Sequence, residues 1–210
     1  MIEQSQRRPG GDGIVVLGAS TGGPAALATL LKNLSPAFPL PIIVVQHMMA
    51  EFTRFLARRL NEAVSLPVVE ARAGQLPQPG AVLMAPGGQH LYFDRSGRIR
   101  LGYQPPRNGV RPSVDVALES ASEHFGSGSV AVILTGMGKD GMEGALKVRQ
   151  RGGVVLVQDE ASSVIFGMPK AAIEAGAYDR ILSLPALPLY LEGISRRKAQ
   201  EARAQRRERS

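Results

Sequence analysis

The chain has 210 residues, 44% of them hydrophobic and none of them cysteine, which suits one domain with a sizeable core and excludes thiol nucleophiles, disulfides and cysteine-ligated metal. No stretch of about 18 apolar residues and no charged-then-apolar leader occurs, so the sequence predicts a cytoplasmic protein that is not membrane-inserted. The net charge of +7 is concentrated in residues 196–210, and aromatics at 5% do not interleave with basic residues, so nucleic acid is not an expected partner.

Residues 1–12 read as a disordered leader, and the domain is expected over 13–195. A strand at about 13–18 runs into Gly18-Ala19-Ser20-Thr21-Gly22, and Pro24 then opens a helix over 24–33 at a favoured first-turn position. A second strand at 41–46 precedes a helix over 51–62, whose spacing puts Phe52, Phe55, Leu56 and Leu60 on one face and Arg54, Arg58 and Arg59 on the other. Strands follow at 67–70 and 81–85. His90 to Tyr103 reads as two short strands about Ser96-Gly97, a hairpin inserted in the alternation, and Gln104 to Pro112 is an extended loop. Ser113 is a good N-cap for a helix carrying Val114, Ala117, Leu118, Ala121 and Phe125. The rest alternates: strand 129–135, helix 141–151, strand 154–158, helix 169–175 stopped by Gly176, strand 180–183 and helix 186–200. Residues 196–210 form a basic C-terminal tail with seven basic and two acidic side chains. Apolar strands alternating with amphipathic helices predict an α/β fold: a doubly wound, mostly parallel sheet flanked by helices, with the inserted β-hairpin.

In such a sheet, ligands bind beyond the C-terminal ends of the strands. Three reactive side chains are expected there: Ser20 after the first strand, His47 after the second, and Asp140 after the strand at 129–135. A serine in Gly-x-Ser-x-Gly between strand and helix is positioned as a nucleophile, with a histidine as base and an aspartate to orient it. The same Gly-rich turn also cradles phosphate in nucleotide-binding folds, and the turn alone does not choose between the two. A nucleotide site would want a lysine after the glycines or an acidic residue ending the second strand, whereas that strand ends in Gln46-His47. This favours hydrolysis. His90 also follows a strand and is a reserve base; His124, near a helix end beside Gly126, reads as structural. The three histidines have no ligand-like spacing, so no metal is expected.

Gly-Ala-Ser-Thr-Gly-Gly, Val-Gln-His, Ala-Pro-Gly-x-x-His, Arg-Pro-Ser-Val-Asp, Leu-Thr-Gly-Met-Gly-x-Asp-Gly and Phe-Gly-Met-Pro occur in that order. Together they resemble, over about residues 13–193, the catalytic domain of the CheB-type protein-glutamate methylesterases of bacterial chemotaxis. The resemblance implies hydrolysis of glutamyl methyl esters on the cytoplasmic helices of methyl-accepting chemoreceptors, with release of methanol and often deamidation of certain receptor glutamines. It implies Ser20 as nucleophile, His47 as general base, Asp140 as its orienter, the Met137 N–H on the oxyanion, Thr21 as a site neighbour, and no cofactor. Lys139 stands where family members often carry Asn. Such enzymes usually carry an N-terminal phosphorylatable receiver domain, which residues 1–12 cannot hold. The expectation is therefore a free-standing or excised catalytic domain with an open rim, any restraint falling to a separate regulatory protein.

Overall fold

The computed structural model describes residues 13–208; the leader read over residues 1–12 lies outside the described residues. Seven strands form one sheet: β1 (Ile14–Ala19), β2 (Ile42–Gln46), β3 (Val68–Glu70), β4 (Val82–Met84), β7 (Ser129–Ile133), β8 (Val154–Gln158) and β9 (Arg180–Leu182). Their spatial order is β3-β4-β2-β1-β7-β8-β9, and every adjacent pair is parallel. The sheet is thus wholly parallel. The chain winds outward from β1 through β2 on one side and from β7 on the other, so the reversal of strand order falls between β1 and β7.

The six residues of β1 are all buried, and their alternation divides the core in two. Val15, Leu17 and Ala19 face Leu27, Leu30 and Leu31 of α1 (Gly23–Lys32), Leu56 and Leu60 of α2 (Ala50–Ala63), and Leu187 and Leu191 of α6 (Leu187–Glu208). Ile14 and Val16 face Val114, Ala117 and Leu118 of α3 (Val114–Phe125), Ala145 of α4 (Met142–Gln150) and Ala172 of α5 (Met168–Glu174). The expected hairpin is β5 (His90–Phe93) against antiparallel β6 (Ile99–Gly102), docked on α3 with Phe93 edge-on to Phe125 at 5.2 Å. Asp94 closes its turn by accepting from the Ser96 and Arg98 N–H groups and the Ser96 hydroxyl.

Three expectations are corrected. Phe52 and Phe55 are not core residues: they are 48% and 58% exposed, and α2 buries Thr53, Leu56, Ala57 and Leu60. That helical i, i+3, i+4, i+7 set is possible because Thr53 satisfies its hydroxyl inside, donating to Glu70 Oε1 (2.7 Å) and accepting from the Gly87 N–H (3.2 Å). The strand expected over 129–135 ends at Ile133, since the Thr135 N–H leaves the ladder for Gln158 Oε1 at 2.8 Å. The helix expected to end at 200 continues to Glu208, through a segment of good helix formers with no Gly or Pro. Along α6, Arg196 pairs with Glu192 and Lys198 with Glu201.

Candidate active site

Ala19 of β1 pairs with Gln46 of β2, and the His47 N–H donates to Ala19 O at 3.1 Å, carrying the ladder one residue past both strands. Ser20 and His47 therefore leave neighbouring strands at the same level. On the other side, the Ser20 N–H donates to Thr135 O at 3.0 Å, which fixes the serine at the β1/β7 reversal. The turn closes with Gly23 N–H to Ser20 O at 2.8 Å, and Gly22 takes φ +81°, a left-handed conformation that a side chain disfavours. Gly18, the first glycine of Gly-x-Ser-x-Gly, lies within β1 and not in the turn. What it provides is room for α3: a Cβ there would stand 2.4 Å from Val114 Cγ1. Gln46, buried at the end of β2, donates from Nε2 to Ser20 O (2.9 Å) and His47 O (3.1 Å), tying the two turns together.

Asp140 lies in the glycine-rich turn between β7 and α4, buried, and its carboxylate collects five donors. Oδ2 accepts from His47 Nε2 (2.7 Å) and the Val114 N–H (2.6 Å); Oδ1 accepts from Ser113 Oγ (2.7 Å), the Asp115 N–H (3.2 Å) and Asn108 Nδ2 (3.2 Å). Burial pushes this carboxyl up, but the bonds from His47, Ser113 and Val114 outweigh it and hold Asp140 at about 2. An ionised carboxylate only accepts, so His47 Nε2 must carry the proton of their shared bond. In the neutral ring Nδ1 is then the basic nitrogen.

Asp115 stands beside Asp140 in the first turn of α3. Its Oδ1 accepts from the Gly144 N–H (2.7 Å) and its Oδ2 from Asn108 Nδ2 (2.8 Å). Burial raises this carboxyl to about 6, the Gly144 bond opposing and the Asp140 charge adding to the rise.

His90 is not placed as a base. It is 2% exposed, Nδ1 accepts from the Ser113 N–H (3.2 Å), and Nε2 faces Pro105 O (3.1 Å), which requires the proton on Nε2 and leaves no basic nitrogen available. It holds the Gln104 to Pro112 loop against the start of α3. His124 packs edge-on against Phe125 in the last turn of α3. Thr21 and Lys139 are exposed, and Met137 is 73% exposed at the rim. Beside His47 opens a depression of about 420 Å³ walled by Met48, Met49, Gly88, Val110 and Arg111. Among the described residues no cluster of His, Asp and Glu could hold a metal ion, and no helix is long and apolar enough to cross a membrane.

The sequence brought Ser20, His47 and Asp140 to one rim but gave no role to Asn108, to Asp115 or to the Ser113 hydroxyl on Asp140. Arg-Pro-Ser-Val-Asp was the visible signal for two of them, because its Ser and Asp open a helix whose free N–H groups need an anion.

These features define the class: an α/β protein with a serine beside a carboxylate-held imidazole at the C-terminal rim of a doubly wound parallel sheet. The chain belongs to the CheB methylesterase family, whose sequence model matches residues 15–191. It is 46% identical over 183 residues to protein-glutamate methylesterase/protein-glutamine glutaminase 2 of Anaeromyxobacter dehalogenans, an alignment covering 87% of this chain and 53% of that protein. It is also 46% identical over 171 residues to protein-glutamate methylesterase FrzG of Myxococcus xanthus, covering 81% and 51%. The crystal structure of the Thermotoga maritima CheB methylesterase catalytic domain superposes with a TM-score of 0.84 at 45% identity, covering 87% of this chain and 98% of that one. The chain spans about half the length of the curated relatives it matches.

Proposed function

We propose that this chain is a cytoplasmic serine hydrolase that removes methyl groups from glutamate methyl esters on the cytoplasmic helices of chemoreceptors, in chemotaxis or a related signalling pathway. The observation that carries this reading is the 2.7 Å bond between His47 Nε2 and Asp140 Oδ2 on the strand end next to Ser20. Asp140 fixes the tautomer and steadies the imidazolium that forms, while Nδ1 takes the Ser20 proton as Oγ attacks the ester carbonyl. The tetrahedral oxyanion needs a backbone donor, and Met137 offers one. Gly136 O accepts the Gly167 and Met168 N–H groups, so in a planar trans peptide the Met137 N–H points the opposite way, off the start of α5. Gly136 also touches Ser20, with no room for a Cβ between them.

Collapse of the intermediate expels methanol, which takes the proton back from His47 and leaves an acyl-enzyme on Ser20. Water, deprotonated by His47, attacks that ester; the free glutamate carboxylate leaves and Ser20 recovers its proton. With a glutamine substrate the same steps release ammonia, which accounts for deamidation without new residues. No step calls on a cofactor. The experiment is to incubate the purified chain with a methylated receptor cytoplasmic fragment and measure methanol, and with its glutamine form to measure ammonia. Catalytic release of methanol supports the reading; tight nucleotide binding in a thermal-shift screen without hydrolysis replaces it with a phosphate cradle.

A further inference from the structure

The Gln104 to Pro112 loop reaches the candidate site at one tight turn. Arg107 and Val110 exchange both backbone hydrogen bonds at 3.1 Å, and the residues between them, Asn108 and Gly109, take φ +53° and +76°. This is a two-residue hairpin of the Asn-Gly kind, whose positive φ angles asparagine tolerates better than most side chains. Its first two side chains each tie α3 to the α4 side of the site, Arg107 to α4 itself and Asn108 to the turn that precedes it. Arg107 bonds Glu119 of α3 and Glu143 of α4. Asn108 Nδ2 donates to Asp115 Oδ2 at 2.8 Å and Asp140 Oδ1 at 3.2 Å, although the residue as a whole is exposed.

We propose that the Arg107-Asn108 turn braces the acid of the site, and that Asn108 is a positioning residue for the reaction, acting on His47 through Asp140. Two side-by-side carboxylates repel, and Asp140 must keep one oxygen aimed at His47. An amide placed between them donates to both without adding charge, so it relieves the repulsion and leaves Oδ2 free for Nε2 and the Val114 N–H. Because Val110 and Arg111 of the same loop wall the depression beside His47, one segment both shapes the substrate's approach and steadies the acid.

The assignment rests on Ser20, His47 and Asp140 acting as proposed above, and the test separates the two. Asn108→Gly removes the amide while keeping the backbone conformation accessible, and the residue's exposure lets the variant fold. Circular dichroism should stay at the wild-type spectrum, and the thermal midpoint should fall only by the loss of two hydrogen bonds to carboxylates, leaving the variant folded at assay temperature. Methyl-ester turnover should fall about ten- to a hundredfold in kcat with KM little changed, the loss expected when a reacting group is displaced by an ångström or less. The acid limb of the pH profile should move upward. Without the shared amide, Asp140 becomes a stronger partner for imidazolium, in a field that also holds Asp115, Arg107, Glu119, Glu143, Lys139, Arg111 and His90. The His47 Nε2–H proton signal should shift correspondingly by NMR. If the acid limb and that signal both match wild type, the brace is wrong, whatever happens to kcat. If the wild-type chain releases no methanol, the proposed activity fails, and the NMR comparison alone still decides whether Asn108 positions His47.

Discussion

Asp140 and Asp115 cap one another's helices. Asp140, two residues before α4, accepts the N–H groups of Val114 and Asp115 at the start of α3, while Asp115 in α3 accepts the N–H of Gly144 in the first turn of α4. Each carboxylate thus sits in the positive field of the other's helix, which offsets burying two acids side by side. The arrangement gives the Asp140 carboxylate fixed partners in a glycine-rich turn.

One consequence concerns stability against pH. Asp115 is raised to about 6 from an unfolded value of about 3.9, so the stability linked to its proton is fully present below the unfolded value and is lost as pH rises through about 6. Between about pH 4 and about pH 7 the thermal midpoint of wild type should therefore fall relative to that of Asp115→Asn, which cannot ionise at this position. Thermal unfolding of both proteins across that window checks it; parallel curves would show that the carboxyl is not raised.

The second consequence concerns the serine, base and acid as one unit. His47→Gln and Asp140→Asn should each lower kcat by roughly three orders of magnitude or more, and the double variant should lose little beyond either single one. Asp140→Asn should also unfold more easily by about 1.5–3 kcal/mol, since it weakens bonds made to a buried charge. Steady-state kinetics and denaturant titration of the three variants test this, and multiplicative losses would count against a shared mechanism.

Ser113 has two duties, as N-cap accepting from the Val116 N–H at 3.4 Å and as donor to Asp140 at 2.7 Å. Ser113→Ala should cost about 1 kcal/mol or more of stability, the usual loss on removing a cap. It should also lower kcat, which a purely structural cap would not. A denaturation curve beside a rate measurement separates the two duties.

His90 and His47 should respond oppositely to the same change. His90→Gln should keep kcat within about tenfold of wild type, because His90 faces Ser113 and Pro105, while its thermal midpoint falls through loss of buried hydrogen bonds. A loss of activity equal to that of His47→Gln in a stably folded protein would return His90 to the chemistry.

The sheet was legible because β1, β2 and β7 are short uninterrupted apolar runs, and burial on both faces demands little beyond that composition. Ser20 and His47 were legible for the same reason, each being the first residue past such a run. The inward face of α2 was not: Thr53 displaces Phe52 and Phe55 from the core only because Glu70 and Gly87, distant in sequence, satisfy its hydroxyl. Nor was the environment of Asp140. Its donors lie 25 to 32 residues earlier, or 93 in the case of His47, and meet it only through the packing of α3 beside β1 and β7. His90 misled because a histidine after a strand looks the same in sequence whether its nitrogens face solvent or a serine N–H.

The most direct measurement of the central claim is methanol release from a methylated receptor fragment by wild type and by Ser20→Ala, with circular dichroism on both. With Ser20 as the nucleophile, the variant should retain the wild-type spectrum and lose roughly three orders of magnitude or more in turnover. A correctly folded Ser20→Ala protein that releases methanol at close to the wild-type rate would contradict the account.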